Sequence, residues 1–142
     1  MNVSILNSTI EIDESVIAAP PEEIRAQVRE YERGERYAFD LDVDFPDGVT
    51  GEVMAAMAAI PYGETRSYGA IAAGLDTAPV AVGQACGRNP VPLVVPCHRV
   101  VGTNGDLRGY SAADGITTKR RLLELEARER KTDSGQTQLP TE

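Results

Sequence analysis

The sequence contains few of the residues that bind metals. Its 142 residues include two cysteines, one histidine and no tryptophan. Two thiols and one imidazole cannot fill the four ligand positions of a structural zinc site without carboxylates. We therefore expect neither a metal nor another cofactor.

Long hydrophobic runs are also absent. No apolar stretch approaches the roughly 20 residues that span a membrane, and the amino terminus lacks a basic region followed by a hydrophobic one. We expect no signal peptide, no membrane association and a cytoplasmic location, where Cys86 and Cys97 stay reduced. The composition, 42% hydrophobic and 25% charged, is typical of a globular protein with a core.

Basic charge is scarce in the first third of the chain. Residues 1–50 hold 12 acidic and 4 basic side chains, which equals the whole net charge of −8, whereas residues 51–131 hold 8 acidic and 10 basic. A net negative charge alone speaks against a nucleic-acid partner. The second segment is mildly basic, however, so we interpret the acidic segment as a solubilising surface.

Strands and one helix are predicted before residue 48. Patchy alternation over 3–12 indicates one or two short strands, and strict alternation over 37–45 predicts a half-buried strand with aspartates outside. Between them, prolines at 20–21 suit the first turn of a helix that ends near Gly34. Its apolar stripe consists of Ile24, Val28 and Tyr31.

The turn at 46–48 marks the expected end of a short amino-terminal α/β lobe, residues 1–48. Thr50 is predicted to cap a helix that runs through Ile60. Ser67 is predicted to cap a helix over 68–73. A third helix, over 79–86, is predicted to begin after Asp76 or Thr77.

The helices over 68–73 and 79–86 form a helix-turn-helix pattern. The second of them is rich in small residues, which allow close approach to another surface. Packing against the first helix explains those small residues equally well, so the pattern alone does not decide.

A cysteine and the only histidine lie side by side in the segment 96–100. A thiol beside an imidazole is the usual material of an activated sulfur nucleophile. An extended strand is predicted here, and adjacent residues on a strand point to opposite faces. We therefore expect Cys97 and His98 not to bond directly, and a water molecule to lie between them.

The rest of the chain is predicted to contain a hairpin, a loop and a helix. Asn104 and Gly105 favour a hairpin turn, and small residues over 110–115 suit a ligand-binding loop. The last helix spans 116–130 and carries Glu126 on a face with apolar neighbours, where a carboxylate needs a partner. The tail, residues 132–142, is expected to be disordered.

Three motifs together resemble one family. They are Ile60-Pro61-Tyr62-Gly63-Glu64-Thr65-Arg66-Ser67-Tyr68-Gly69, then Asn89-Pro90, then Pro96-Cys97-His98-Arg99-Val100-Val101. In this order they are similar to the O6-alkylguanine-DNA alkyltransferases, also called methylated-DNA–protein-cysteine methyltransferases. The resemblance covers about residues 49–127 and implies an alkyltransferase domain over 49–131.

The resemblance implies roles for the residues at the candidate centre. Cys97 would accept the alkyl group, and His98 would polarise the thiol through a water. Glu126 would hold the histidine, and Asn89 would brace the turn before the active-site segment. Tyr68 would push the phosphate of the target nucleotide and hydrogen-bond the extruded base.

The resemblance also implies a DNA-binding surface. The third helix would lie in the minor groove, and a loop would line the guanine pocket. Val80 stands where the family has an arginine that fills the gap left by the flipped base; a valine can wedge into the stack but cannot hydrogen-bond the orphaned partner. The residues expected to bind DNA or substrate are Tyr68, Val80, Arg88, Arg99, Val100, Tyr110 and Ser111.

The resulting prediction is an α/β (α+β) protein, a short strand/helix lobe followed by a helix-turn-helix, winged-helix-like domain. Its expected function is direct-reversal DNA repair on double-stranded DNA containing O6-alkylguanine, with irreversible transfer to Cys97 and a monomeric protein. The alternative is an alkyltransferase-like lesion sensor, although such proteins lack the acceptor cysteine. A Cys-His hydrolase is a further alternative, which requires a hydrogen-bonded thiol–imidazole pair and an oxyanion hole.

Overall fold

The computed structural model describes residues 1–107 and 115–138, with the backbone alone for 131–138. The chain has a mixed α/β fold of five helices and two small sheets within these ranges. Buried side chains from both sides of residue 48 form one hydrophobic core; Ile24 and Val28 before it belong to the same cluster as Leu122 and Leu125 after it. None of the helices described could cross a membrane.

A hairpin opens the chain, as the alternation over 3–12 predicted. Strand β1 (Asn2–Ile5) pairs antiparallel with β2 (Ser8–Glu11). Leu6 and Asn7 form the two-residue turn with φ of 50° and 65°, the left-handed conformation that fits the twist of such hairpins.

Helix α1 (Pro21–Glu32) confirms the predicted helix. The stripe residues Ile24, Val28 and Tyr31 are all buried in the core. Gly34 follows the helix with φ of 75°, which suits a glycine after a helix end.

The predicted strand over 37–45 is wrong. Only an isolated bridge joins Val43 to Ile17, and the side chain of Gln27 bonds both backbone groups of Asp40, at 2.9 Å to its N–H and 3.1 Å to its carbonyl. A neighbouring strand cannot pair where a side chain already uses the backbone. The predicted faces hold in part: Phe39 and Leu41 are half-buried and the aspartates at 40, 42 and 44 are exposed, but Phe45 is exposed as well.

Helix α2 (Val49–Ala58) starts before the predicted cap, because Gly48 and not Thr50 precedes its first turn. The preceding chain lies very close to this turn: a Cβ on Gly51 would collide with the carbonyl oxygen of Pro46. This contact explains why residue 51 is a glycine.

The helix-turn-helix consists of α3 (Tyr68–Gly74) and α4 (Pro79–Gly87). Ser67 caps α3 as predicted, since its Oγ accepts from the N–H of Ala70 at 3.0 Å. The predicted cap of α4 is wrong. Ala78 precedes this helix without a side-chain bond, and Asp76 instead adopts φ of 54° in the turn.

Two short strands tie the helix-turn-helix to the segment with the cysteine. Strand β3 (Arg66–Ser67) pairs parallel with β4 (Val100–Val101). The turn at 102–105 is present, with a bond of 2.8 Å from Gly102 N–H to the carbonyl of Asp106, but no antiparallel ladder forms up to residue 107. The second strand of the predicted hairpin continues into residues outside the described ranges.

Helix α5 (Ile116–Gln138) extends past the predicted end at Arg130. The helix therefore includes residues 132–138, where the sequence predicted a disordered tail. Nothing in that stretch forces an end, because the next proline is Pro140.

Candidate active site

Cys97 begins a short 3₁₀ helix, Cys97–Arg99, where the sequence predicted an extended strand. The correction follows from the backbone: Arg99 N–H bonds the carbonyl of Pro96 at 3.0 Å, and Val100 N–H bonds the carbonyl of Cys97. Cys97 is only 4% exposed and is not in a disulfide. Because the segment is a 3₁₀ turn, the alternation of neighbouring side chains along a strand does not apply to Cys97 and His98.

Asn89 holds the backbone that leads to this turn. Its Nδ2 donates to the carbonyl of Val95 at 2.9 Å, and its Oδ1 accepts from the N–H of Val91 at 3.0 Å. Both bonds are buried, and between them Leu93 adopts a φ of 79°, unusual for a side chain of that size. The predicted place of Asn89, bracing the chain after α4, agrees with these contacts.

His98 is completely buried and bonds Glu126, with 2.6 Å between Nε2 and Oε2. Burial lowers the pKa of His98 below 6.5, and the hydrogen bond and charge of Glu126 oppose that effect only in part. The imidazole is therefore neutral at pH 7. Its other nitrogen, Nδ1, is buried and has no hydrogen-bond partner among the described residues.

The charge of Glu126 decides which nitrogen of His98 carries the proton. Burial would raise the pKa of this carboxyl, but the hydrogen bonds from His98 and Arg99, together with the positive charge of Arg99, outweigh it and hold the pKa far below 4.5. An ionised carboxylate only accepts hydrogen bonds, so the proton lies on Nε2. Nδ1 is then an unprotonated acceptor that can take a proton.

Arg99 is a partner of Glu126 and not a surface residue. Its Nε and Nη2 each donate to one carboxylate oxygen at 2.9 Å, and Nη1 donates to the carbonyl of Ile60 at 2.7 Å. The side chain is 6% exposed and its guanidinium is bonded within the protein; the predicted role of Arg99 in binding DNA or substrate stays a prediction. The need of a buried Glu126 for a cation could have identified Arg99 from the sequence.

Two further donors to Glu126 were not predicted. The hydroxyl of Tyr31 donates to Oε2 at 2.6 Å, and the N–H of Gly63 donates to Oε1 at 3.2 Å. The sequence placed Tyr31 in an apolar stripe, which predicts burial but does not show the destination of its hydroxyl. Four residues from α1, the α2–β3 connection and the Cys97 turn thus hold one carboxylate of α5.

Lys119 links the Cys97 turn to α3. This lysine is 1% exposed; its Nζ donates to the carbonyl of Val100 at 2.6 Å and lies 5.7 Å from the ring centroid of Tyr68. Burial lowers the pKa of Lys119. Val100 is itself fully buried, and both of its backbone groups are engaged; its predicted role in binding DNA or substrate stays a prediction.

A cavity of about 460 Å³ opens between α3, α4 and the turn after β4. Tyr68 and Val80 line it, together with small residues that include Gly83 and Gly102. Val80 is 66% exposed. Arg88 is exposed just after α4, whereas Tyr110 and Ser111 lie outside the described residues.

The second cysteine, Cys86, has a packing role. The Sγ of Cys86 lies 3.5 Å from the Sδ of Met57, and burial raises the pKa of Cys86 to about 12. A protonated buried thiol is a poor nucleophile. The described residues also contain no group of three or more acidic, cysteine or histidine side chains placed to hold a metal.

Comparison with known proteins gives one consistent result. Residues 49–128 match the family model of the 6-O-methylguanine DNA methyltransferase, DNA binding domain. The methylated-DNA–protein-cysteine methyltransferase of Mycobacterium tuberculosis is 48% identical over 103 residues, 70% of this chain and 61% of the relative. That of Methanosarcina acetivorans is 45% identical over 108 residues, 73% of this chain and 67% of the relative.

The fold agrees with a solved structure from the same group. The Mycobacterium tuberculosis OGT in complex with DNA matches with a TM-score of 0.73 and 37% identity, over 86% of this chain and 87% of that chain. This chain spans about three fifths of the length of the mycobacterial relatives whose sequences it matches.

Proposed function

Because the chain belongs to the 6-O-methylguanine DNA methyltransferase family, we propose that it repairs alkylated DNA by moving the alkyl group from O6 of guanine to its own Cys97. The observation that carries the proposal is the geometry around His98. A neutral imidazole, held at Nε2 by an ionised Glu126, presents an unprotonated Nδ1 one residue from a buried thiol. This arrangement can remove the thiol proton when the reaction begins.

The reaction forms one bond and breaks one. The sulfur of Cys97 attacks the alkyl carbon, the carbon–O6 bond breaks, and its electron pair stays on the guanine. The thiol proton passes through a water molecule to Nδ1 of His98 and then to the guanine anion, so the base leaves neutral. The thioether has no leaving group, so each protein molecule reacts once.

The partner we propose is double-stranded DNA containing O6-alkylguanine. O6 is paired and stacked inside a duplex, so the base must be flipped out, at a cost of a few kcal/mol. The exposed Val80 and the Tyr68 ring border the cavity beside α4, and Arg88 supplies a positive charge at the end of that helix. We propose further that the loop containing Tyr110 and Ser111 lines the guanine pocket. We also propose that the protein acts as a monomer in the cytoplasm.

The hydrolase alternative is disfavoured by the same geometry. A Cys-His hydrolase requires a hydrogen bond between the thiol and the imidazole. Nδ1 of His98 accepts no hydrogen bond from any described residue, and Nε2 is used by Glu126. A lesion sensor remains the second outcome of the test below.

Mass spectrometry tests the proposal. After incubation with a duplex carrying one O6-methylguanine, we expect the intact protein to gain one methyl group, once per molecule, on the peptide containing Cys97. Cys97→Ala should bind the duplex without gaining the group. Cys86→Ala is the matched control and should still gain it.

Four results would contradict the proposal. A methyl group found on Cys86, or transfer that survives in Cys97→Ala, would show that the acceptor is wrong. Bound DNA without any adduct on the wild-type protein would leave a lesion sensor. More than one product per protein molecule would indicate a true catalytic cycle.

A further inference from the structure

Tyr31 reaches the candidate active site from the opposite end of the chain. It lies on α1 within the first 48 residues, is completely buried, and donates its hydroxyl to Oε2 of Glu126 at 2.6 Å. The same oxygen lies 2.6 Å from Nε2 of His98. One carboxylate oxygen is therefore shared between the amino-terminal segment and the imidazole beside Cys97.

The shared oxygen makes the Tyr31 bond relevant to proton transfer. Each donor to a carboxylate oxygen draws on the same negative charge, so a bond from Tyr31 reduces the charge available to the His98 ring. The bond also restricts rotation of the carboxylate and therefore the plane of the imidazole. Burial, followed by the charge of Glu126, raises the pKa of Tyr31 well above 10, so its hydroxyl stays protonated and keeps donating.

We propose that Tyr31 is a positioning residue for the reaction of Cys97, because its hydroxyl fixes the Glu126 carboxylate that orients and tunes His98. The inference rests on the proposed function of Cys97 and extends it to the amino-terminal segment. On this basis the acidic amino-terminal segment contributes a positioning residue to the active site, in addition to forming a solubilising surface.

Several other groups also face Glu126 and His98, and a test of Tyr31 must leave them unchanged. Arg99 donates to both oxygens of Glu126, and Lys119 adds positive charge from α5. Tyr62 packs edge-on against Tyr31 at 5.9 Å between ring centroids. Replacing Tyr31 by phenylalanine keeps the ring and these neighbours, and removes only the hydroxyl.

The Tyr31→Phe variant tests the inference through the pH dependence of transfer. Loss of the donor leaves more negative charge facing His98, so the pKa of the imidazole rises. The acid limb of the rate profile should move to higher pH by about half a unit to one unit. At a fixed pH on that limb, transfer to Cys97 should slow by about three- to tenfold.

Tyr37→Phe is the matched control. Tyr37 also packs on Tyr62, with ring centroids 4.4 Å apart, and its hydroxyl donates to the backbone carbonyl of Glu129 at 3.4 Å. We expect its acid limb to coincide with that of the wild type. Equal shifts in both variants would assign the effect to packing and overturn the inference.

Two measurements decide the inference without DNA. Nuclear magnetic resonance titration of His98, the single histidine, should show the same rise of its pKa in Tyr31→Phe. The pH profile of Cys97 alkylation by iodoacetamide, in a Cys86→Ala background, should shift in parallel. These readouts hold even if the protein transfers no methyl group, so failure of the proposed function and failure of this inference are distinguishable.

A second substitution at position 31, with the opposite expected effect on the pKa of His98, separates the effect of the hydrogen bond from a disturbance of the fold. Difluorotyrosine at position 31 keeps the hydroxyl and makes it a stronger donor, so the pKa of His98 should fall. Shifts of opposite sign in the two variants support the inference. An unchanged His98 pKa in both would overturn it.

Discussion

Glu126 is the residue on which the candidate site depends. It is 1% exposed, and its two oxygens accept hydrogen bonds from His98, Arg99, Tyr31 and Gly63. A buried carboxylate with a forked arginine and further donors is fully satisfied and geometrically fixed. The same contacts that keep it ionised also set the tautomer of His98.

Replacing Glu126 by glutamine tests this dependence. Glutamine removes the charge and leaves the buried guanidinium of Arg99 uncompensated, so the free energy of unfolding should fall by about 3 kcal/mol or more. Transfer to Cys97 should fall as well, because a neutral amide no longer fixes the proton on Nε2. Urea unfolding and the DNA transfer rate measure the two effects.

Glu124→Gln is the control for that change. Glu124 lies on the same helix but is exposed, so its replacement should alter the unfolding free energy by less than about 0.5 kcal/mol. If Glu126→Gln were equally mild, the carboxylate would be a surface charge and the assignment of its role would fail.

At this scale the sequence predicted the chemical groups but not all of their partners. The Pro-Cys-His-Arg motif identified Cys97 and His98, and helical spacing put Glu126 on a partly apolar face. Spacing does not show where a side chain ends, so the hydroxyl of Tyr31 and the guanidinium of Arg99 were assigned to other surroundings. Both assignments depend on contacts over more than 25 residues of chain.

Among the elements, α4 carries a residue that departs from the pattern of the family that the sequence resembles, because Val80 stands where that family has an arginine. Val80 stands in its first turn, is 66% exposed, and borders the cavity beside Tyr68. An apolar wedge can enter a base stack, but it adds no charge against phosphate and no hydrogen bond to an orphaned base. Binding through α4 should therefore be weaker and less dependent on salt than with an arginine.

The Val80→Arg variant tests that expectation. We expect tighter binding to a duplex containing O6-methylguanine, and a salt dependence of the binding constant steeper by about one counterion. Thr9→Arg is the charge-matched control, because Thr9 is exposed on the amino-terminal hairpin. Weaker binding by Val80→Arg, or an equal gain by Thr9→Arg, would show that α4 does not meet DNA at this position.

The helices were predicted well, whereas the strict alternation over 37–45 and the apolar residues before Cys97 predicted extended strands that do not form. The helices α1 to α4 follow from apolar spacing and turn residues. The strand over 37–45 failed because Gln27 occupies backbone groups that a strand would need. The Cys97 turn failed because four apolar residues before it suggest extension, whereas its own hydrogen bonds close a 3₁₀ turn.

For the whole molecule, charge and burial predict how stability depends on pH. Burial holds the pKa of His98 below its usual 6.5, so on acidification the unfolded chain binds a proton there before the folded protein does. Stability therefore falls as the pH drops below about 6.5. The pKa of Glu126 lies below 4.5 in the folded state, so its contribution is present above pH 4.5 and is lost at lower pH.

Urea unfolding at pH 7, pH 5 and pH 3.5 measures the two contributions separately. The chain has one histidine, so the loss between pH 7 and pH 5 reports chiefly on His98, at up to about 1.4 kcal/mol for each unit below 6.5. His98→Gln should flatten that interval and leave the Glu126 interval in place. Stability that rose on acidification from pH 7 to pH 5 would mean a charged imidazole in the folded protein, with a proton on Nδ1 as well as on Nε2.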